Sequence, residues 1–328
     1  MRVPDLPRFR LLDGPSPLTP VPRFVDALGG GFDLWLKRED LLPLAFGGNK
    51  LRNLEFLVGA ALAEGADALV TSGRRWSNHA RLTAAAGARA GLEVHLVLSG
   101  PPASEAGPNA RVEALLGATV HQLATAERAE REAAVDRVAA DLRARGRRPY
   151  VIGVGGSGAL GALGQALAAL ELLEQLRPLG GDPDDVILPS ATGGTQAGIL
   201  VGLRAGGAAD ARVRGMAVAR PPDKLRPEIE RLAGGVAALL EVASPGMGEI
   251  ELDPSTLGSG YGIPSTAAGE AATLLARTEG VLVDPVYTAK ALGGLIALAR
   301  GGELAGRRVV FWHAGGTPGI FEELSDAG

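Results

Sequence analysis

The segment 45–52 reads Ala-Phe-Gly-Gly-Asn-Lys-Leu-Arg and places Lys50 directly after a double glycine. The positive end of a helix dipole disfavours a cation and so favours the neutral amine that a lysine needs for attack on an aldehyde. Taken alone, the segment also fits an ordinary surface lysine. Apolar residues then recur at helical spacing, which predicts a helix that begins close to Lys50. These residues are Leu51, Leu54, Leu57, Val58, Ala61 and Leu62.

Outward from this segment, strands and helices alternate along nearly the whole chain. This alternation predicts an α/β protein with mainly parallel sheets. The Pro-rich part before residue 34 should be coil, and the charged helix at 126–145 should present a solvated face. Predicted strands lie at 34–37, 67–71, 93–98, 119–121, 150–153, 185–188, 213–218 and 308–312. Further helices are expected at 77–90, near 111, at 266–279 and at 285–300. Two more are expected, one that ends at 177 and one that begins at 197.

Composition limits the possible functions. The chain has 328 residues, enough for two domains at about 150 residues each. Its formal net charge of −4, without basic tracts, argues against nucleic acid or an anionic membrane as the main partner. Cysteine is absent, which excludes disulfides and thiolate chemistry. No apolar run approaches the roughly 20 residues of a membrane span, and no secretory signal is visible, so a cytoplasmic protein is expected.

The segment 190–198 reads Ser-Ala-Thr-Gly-Gly-Thr-Gln-Ala-Gly and lies between an apolar strand and a helix. Glycine-freed backbone N–H groups, threonine hydroxyls and the positive helix end together form an anion cradle. The lysine of a P-loop is missing, so one phosphate fits better than a nucleoside triphosphate. An ordinary strand-to-helix turn is the alternative interpretation.

Other short motifs carry weaker signals. Residues 76–79 read Trp-Ser-Asn-His at another helix start, which suits a normal N-cap or a site for a substrate carboxylate. The glycines of 153–158 match a dinucleotide pattern, but no acidic residue follows for a ribose, so we interpret them as the tight start of a helix. The four histidines lack metal-ligand spacing and no nucleophile elbow exists, so no metal site or serine nucleophile is predicted.

A set of short motifs is spread in order along nearly the whole chain: Lys-Arg-Glu-Asp (37–40), Phe-Gly-Gly-Asn-Lys (46–50), Ser-Asn-His (77–79), Ala-Thr-Gly-Gly-Thr (191–195), Tyr-Gly (261–262), Asp-Pro-Val-Tyr (284–287) and His-Ala-Gly-Gly (313–316). The set resembles one enzyme family. It is similar to the D-cysteine desulfhydrase and 1-aminocyclopropane-1-carboxylate deaminase family of pyridoxal-phosphate enzymes. The resemblance implies the tryptophan-synthase-β-like fold, with two three-layer domains built on parallel sheets. A large domain would comprise 1–48 and 150–328, a smaller one 49–149, and the chain would form a homodimer.

The resemblance also implies a role for each matching residue. Pyridoxal 5'-phosphate would be the cofactor, with its aldehyde on Lys50 and its ring oxygen hydrogen-bonded by Asn78. The substrate carboxylate would bind Ser77, Asn78 and His79, while Tyr261 and Tyr287 flank the substrate. The catalytic candidates are Lys50, Ser77, Tyr261 and Tyr287, and the phosphate would be held by Ala191, Thr192, Gly193, Gly194 and Thr195.

Three departures from the family pattern bear on the reaction. Position 288 is a threonine in this chain, as it is in the desulfhydrase branch. The deaminase branch carries a glutamate at this position. Ala314 replaces the hydroxyl residue that faces the pyridine nitrogen in the desulfhydrase branch, and Thr317 is close in sequence. The segment 73–76, Gly-Arg-Arg-Trp, either points to solvent or reshapes the pocket for a larger or more acidic substrate.

The favoured function is therefore a β-eliminating lyase that acts on a small, D-cysteine-like amino acid and releases a keto acid and ammonia. One alternative is 1-aminocyclopropane-1-carboxylate deaminase, which Thr288 disfavours. A second alternative, from another class, is a non-catalytic protein that uses the fold to bind a ligand or partner. That alternative is disfavoured because the catalytic candidates Lys50, Ser77 and the two tyrosines are all present. Ala314 leaves it open.

Overall fold

The computed structural model describes residues 4–100, 107–125 and 127–321, which form two sheets with helices on both faces. The larger sheet has six strands. Five of them are parallel, and the edge strand β1 is antiparallel to its neighbour β2. Its inner strands are buried on both faces, as expected for a parallel sheet covered by helices. In sheet order the strands are Leu18–Pro20 (β1), Asp33–Arg38 (β2), Arg308–His313 (β10), Asp185–Ser190 (β7), Arg212–Ala217 (β8) and Glu251–Asp253 (β9).

The smaller sheet has four parallel strands. In sheet order these are Thr119–Leu123 (β5), Glu93–Ser99 (β4), Ala68–Arg74 (β3) and Pro149–Ile152 (β6). The pairing of β6 with β3 adds residues 149–152 to this sheet. The division into 1–48 with 150–328 and 49–149 stays a prediction about domains.

Helix α2, Lys50–Ala63, lies between the two sheets and carries the lysine singled out above. Its Leu54 and Val58 pack in the core of the smaller sheet, while Phe56 packs with helices of the larger one. Because both sides are covered, apolar residues surround the helix instead of forming one stripe. The other helices are Pro22–Ala27 (α1), Asn78–Ala90 (α3), Pro108–Leu115 (α4), Arg128–Ala144 (α5), Ala159–Leu176 (α6), Gly194–Ala205 (α7), Pro222–Leu240 (α8), Thr266–Glu279 (α9) and Thr288–Arg300 (α10).

The α/β prediction is confirmed, with three local corrections. The segment before residue 34 is not all coil, since it contains β1 and α1. Helix α7 begins at Gly194 and not at 197, and α10 begins at Thr288 and not at 285. The sequence reading also missed α8, whose prolines and double glycine hide a regular apolar stripe. Within the described residues, no helix is both long and apolar enough to cross a membrane.

Candidate active site

A cavity of about 660 Å³ lies where strands of both sheets end. Its walls come from segments that follow β3, β6, β7 and β10, and from the first residues of α2. Ligands of open α/β folds bind at the carboxyl ends of the strands, so this is the expected position for a site. The predicted site residues that line the cavity are Lys50, Ser77, Asn78, His79, Ala191, Thr192, Gly193, Thr195, Tyr261 and Tyr287. Gly194 is not part of the lining, but it begins α7 beside Gly193.

Lys50 is distinguished from the other lysines of the chain by its position. The sequence contains four lysines, and Lys50 is the one that lines the cavity. Lys37 is buried against Glu171, Lys290 donates to the carbonyls of Leu257 and Gly260, and Lys224 is exposed. Burial at the cavity wall lowers the pKa of Lys50 to about 8, so a substantial neutral fraction exists near neutral pH.

The loop before Lys50 has an unusual backbone. Residues 45–48 all have positive φ, from +44° at Ala45 to +130° at Gly48. A Cβ at Gly47 would lie 2.2 Å from the carbonyl oxygen of Asp40, so only glycine fits there. Arg81 fixes this loop by donating to the carbonyl oxygens of Ala45 at 3.0 Å and Gly47 at 3.1 Å. The loop therefore holds Lys50 at a defined point of the cavity wall.

The start of α7 forms the predicted anion cradle. Gly193 has φ of +89°, and a Cβ there would meet Ile229 Cγ1 at 2.8 Å. No side chain of the described residues caps this helix, so its first N–H groups can bind an anion. Thr195 Oγ1 accepts from Asn49 Nδ2 at 2.9 Å, and Thr192 Oγ1 lies 2.5 Å from Ser157 Oγ. Both hydroxyls are thereby oriented.

The start of α3 forms a second polar end of the cavity. Ser77 Oγ accepts from the N–H of Ala80 at 3.2 Å as a normal N-cap. Asn78 Oδ1 accepts from Arg81 Nη1 at 2.7 Å, which leaves the Asn78 amide N–H groups to donate into the cavity. The N-cap interpretation and the ligand interpretation of this segment are therefore compatible.

His79 is a neutral side chain. Burial, together with the charge of Lys50, lowers its pKa to about 3. Thr71 Oγ1 donates to the carbonyl of Ile152, so at 2.9 Å it accepts from His79 Nε2. His79 Nδ1 is then an acceptor, and a carboxylate near this residue would meet its backbone N–H and not its ring.

The two predicted tyrosines form a pair. Their hydroxyls are hydrogen-bonded to each other, and Trp76 packs against Tyr261 with ring centroids 5.9 Å apart. Burial raises the pKa of both phenols, so both stay protonated at neutral pH. The carboxylate of Asp284 accepts from the N–H groups of Tyr287 at 2.8 Å and Thr288 at 3.0 Å, which fixes the backbone that carries Tyr287.

The family comparison agrees with this geometry. A family model described as "Pyridoxal-phosphate dependent enzyme" matches residues 9–315. The chain belongs to this family. The predicted resemblance, fold class and cofactor are thus confirmed.

Two similar proteins and one solved structure match almost the whole length of this chain. A protein named 1-aminocyclopropane-1-carboxylate deaminase from Burkholderia vietnamiensis is 39% identical over 98% of this chain and 97% of its own length. A D-cysteine desulfhydrase from Salmonella typhi is 38% identical over 96% and 95%. A solved structure titled as an ACC deaminase homologue superposes with a TM-score of 0.89 at 33% identity, over 97% and 94%.

The polar atoms of the cavity fit pyridoxal phosphate, the cofactor of this enzyme family. Ser190 Oγ and His79 Nδ1 are buried and have no hydrogen-bond partner among the described residues. The uncapped start of α7 suits the phosphate, and Lys50 suits the aldehyde. Thr288 lines the cavity and donates to the carbonyl of Gly315 at 3.1 Å, whereas Thr317 is not part of the lining. Of these two threonines, Thr288 is therefore the one that a ligand in the cavity could meet.

Several residues of this pyridoxal-phosphate enzyme's cavity carry no signal in the sequence and were not predicted. Gly155 and Ser157, dismissed as part of a tight helix start, line the cavity beside Thr192. Arg220 lines it as well and donates to the carbonyl of Ala191 at 3.3 Å, close to the anion cradle. Arg131 belongs to the helix predicted to be solvated, yet it is buried at the cavity wall. No local motif marks these residues, because their positions depend on how the elements pack.

Proposed function

We propose that this pyridoxal-phosphate enzyme is a lyase that eliminates the β-substituent of a small, D-cysteine-like amino acid and releases a keto acid and ammonia. The observation that carries the proposal is the position of Lys50, the one lysine at the cavity, in the same cavity as the paired hydroxyls of Tyr261 and Tyr287. A weak base and a protonated acid are the two groups that β-elimination requires.

Different groups of the site would bind the cofactor and the substrate. Residues 191–195 would hold the phosphate through the N–H groups at the start of α7, and Asn78 would donate to the ring oxygen. The substrate carboxylate would bind the start of α3, at Ser77 and at the backbone N–H groups of Asn78 and His79. Since helix starts attract anions, the two ends of the cavity would orient both molecules.

Proton transfer would then involve Lys50 and the tyrosine pair. When bound, pyridoxal phosphate supplies an aldehyde that links to amines and a ring that accepts electrons from the α-carbon. The lowered pKa of Lys50 suits its Nζ as the base that removes the α-proton. In the tyrosine pair one hydroxyl donates to the other, so one proton remains for the departing group.

Deamination of 1-aminocyclopropane-1-carboxylate is the second candidate, since one relative carries that name. This substrate has no α-proton for Lys50 to remove, so ring opening needs another initiating group and strong support of the pyridine nitrogen. Thr288 is a neutral hydroxyl whose proton is donated to Gly315 and cannot balance a pyridinium charge. The geometry therefore supports β-elimination better.

The deciding experiment is a side-by-side assay of the purified holoenzyme on D-cysteine, L-cysteine, β-chloro-D-alanine and 1-aminocyclopropane-1-carboxylate. Keto acid and ammonia should form faster from a β-substituted amino acid than from the cyclopropane, with the Lys50→Ala variant as the blank. A clear preference for the cyclopropane would contradict the role given to Thr288.

A non-catalytic binding protein is the third candidate, and an absorption spectrum separates it from the enzymes. The proposed enzyme should be yellow as purified and should change its spectrum when a substrate amino acid is added. A colourless protein that does not take up added cofactor would support the binding protein instead.

We also propose that the chain acts as a homodimer in the cytoplasm, as the family resemblance implies. Light scattering after size exclusion should give twice the chain mass of 33.5 kDa. A mass of 33.5 kDa would contradict the dimer.

A further inference from the structure

Two arginines occupy one stretch of the cavity wall. Arg74 ends β3, and its Cα pairs in register with that of Ser99 at the end of β4. Arg131, on α5, donates from Nη1 to the hydroxyl of the same Ser99 at 2.8 Å. Both arginines line the cavity, so two positive charges lie side by side on its surface.

Acidic residues offset these two charges only in part, since Glu132, which lines the same cavity, acts on Arg131 without forming an ion pair with it. In the described part of the chain, Arg128 and Arg231 of the same cavity are paired with Glu132 and Glu228, but neither Arg74 nor Arg131 forms an ion pair. Arg131 is 8% exposed, and its Nε is buried without a hydrogen-bond partner among the described residues. Burial and the neighbouring charge of Arg74 lower the pKa of Arg131. Adjacent cations with free donors favour the binding of an anion.

The arginines lie close both to the start of α3 and to Tyr261. The N–H of Ser77, at the carboxylate end, donates to the carbonyl of Arg74 at 2.9 Å. The positive charges of both arginines act on Tyr261, one of the proposed acids. They oppose the rise in the pKa of its phenol that burial causes. An amino acid bound through its carboxylate at α3 would therefore place its β-substituent near Arg74, Arg131 and Tyr261.

We propose that Arg74 and Arg131 bind an oxyanion on the β-carbon of the substrate, so that the preferred substrates carry a sulfate, sulfonate or phosphate as the leaving group. This inference rests on the proposed β-elimination and names its substrate class. Lys50 would take the α-proton, and the electrons of the C–H bond would form the Cα–Cβ double bond. The bond from Cβ to the leaving group breaks, and its electron pair departs with the anion. For serine O-sulfate, addition of water then gives pyruvate, ammonium and hydrogen sulfate, with no oxidant or reductant required.

The first measurement compares leaving groups on the wild-type holoenzyme. Both enantiomers of serine O-sulfate and of β-chloroalanine are assayed for pyruvate, because both compounds have good leaving groups but only the first carries an additional negative charge. We expect kcat/KM to be about 10- to 100-fold higher for serine O-sulfate in the preferred enantiomer, the range of a charge-assisted hydrogen bond.

The second measurement uses variants. Arg74→Gln and Arg131→Gln should each lower kcat/KM for serine O-sulfate about 10- to 100-fold and change that for β-chloroalanine less than about 3-fold. Arg131→Lys, which keeps the charge, should recover part of the loss. Arg137→Gln is the matched control, since Arg137 is an exposed residue of the same helix and should alter neither substrate.

A binding measurement keeps this inference separate from the proposed reaction. The unreactive 3-sulfopropanoate should bind the holoenzyme at least about 10-fold more tightly than butanoate, and Arg131→Gln should remove the difference. If this holds without turnover of any compound, anion binding stands and the lyase proposal fails. If β-chloroalanine turns over without any preference for anions, the lyase stands and this inference fails. Equal losses on both substrates would place the arginines at the α-carboxylate and also overturn it.

Discussion

Two buried arginines, one in α2 beside Lys50 and one at the cavity wall, have opposite surroundings. Arg52, two residues further along α2, forms ion pairs with Glu39 at 2.6 Å and Glu171 at 2.9 Å. These carboxylates raise the pKa of Arg52 although its burial opposes them. Arg131 on the cavity wall has the hydroxyl of Ser99 as its hydrogen-bond partner and a second arginine beside it. A buried charge with full partners fixes structure, whereas one without acidic partners points to a ligand.

The largest effect should come from Lys50, on the cavity side of this comparison. Lys50→Ala should lower kcat by at least about 10⁴-fold, because the proposed base and the cofactor attachment are both removed. The free energy of unfolding should stay nearly unchanged, since Lys50 has no acidic partner among the described residues. Steady-state kinetics and urea unfolding of the same preparation test this, and a variant with near-wild-type turnover would contradict it.

On the structural side, Arg52→Ala should destabilise the protein by about 3–5 kcal/mol, because it leaves the buried Glu39 without its ion-pair partner and Glu171 with Lys37 as its remaining cation. Urea unfolding measures the loss. Arg300→Ala is the control, since it breaks an exposed pair with Glu270 and should cost at most about 1 kcal/mol. Equal costs for the two variants would contradict the distinction between paired buried charges and surface charges.

The tyrosine pair should show an intermediate effect that depends on the leaving group. Tyr261→Phe or Tyr287→Phe, whichever removes the acid, should lower turnover of D-cysteine by about 10²–10⁴-fold. β-Chloroalanine should be affected far less, because chloride leaves without a proton. Equal losses on both substrates would mean that the pair only shapes the cavity.

The smallest effect at any one step is a pH dependence of stability from His79, because the change is spread over several pH units. Its pKa falls from the usual 6.5 to about 3 in the folded protein, so below pH 6.5 the unfolded chain binds a proton that the folded protein does not. Stability from this residue is present above pH 6.5 and is lost toward pH 3, by about 1.4 kcal/mol per pH unit. The difference in unfolding free energy between wild type and His79→Asn should therefore shrink as the pH is lowered from 6.5. A difference that is constant with pH would contradict a buried neutral histidine.

Local signals predicted much of the fold and part of the site. The position of Lys50 and the turn at 191–195 could be found because glycines and a helix start are adjacent in sequence. Helix α8 was missed because Pro222, Pro227 and a double glycine suggest a loop. In the structure its Leu225, Ile229 and Leu232 form a stripe against neighbouring helices, and tertiary packing outweighs local propensity.

The remaining site residues depend on contacts between distant segments. Arg81 supports the loop at 45–48 from α3, and Arg131 reaches the cavity from α5 through Ser99. The sequence of a charged helix does not indicate which of its arginines faces a cavity. The arginine's partners there lie 30 or more residues away in the chain. Only the packing of α5 on the smaller sheet separates Arg131 from the exposed Arg137.

The central claim is that Lys50 is the residue that holds pyridoxal phosphate, and borohydride reduction followed by peptide mapping tests it most directly. With four lysines in the chain, each has a distinguishable peptide. One pyridoxyl-phosphate label per chain is expected, on the peptide that contains Lys50. A label on Lys37, Lys224 or Lys290, or a protein that contains cofactor but takes no label, would contradict it.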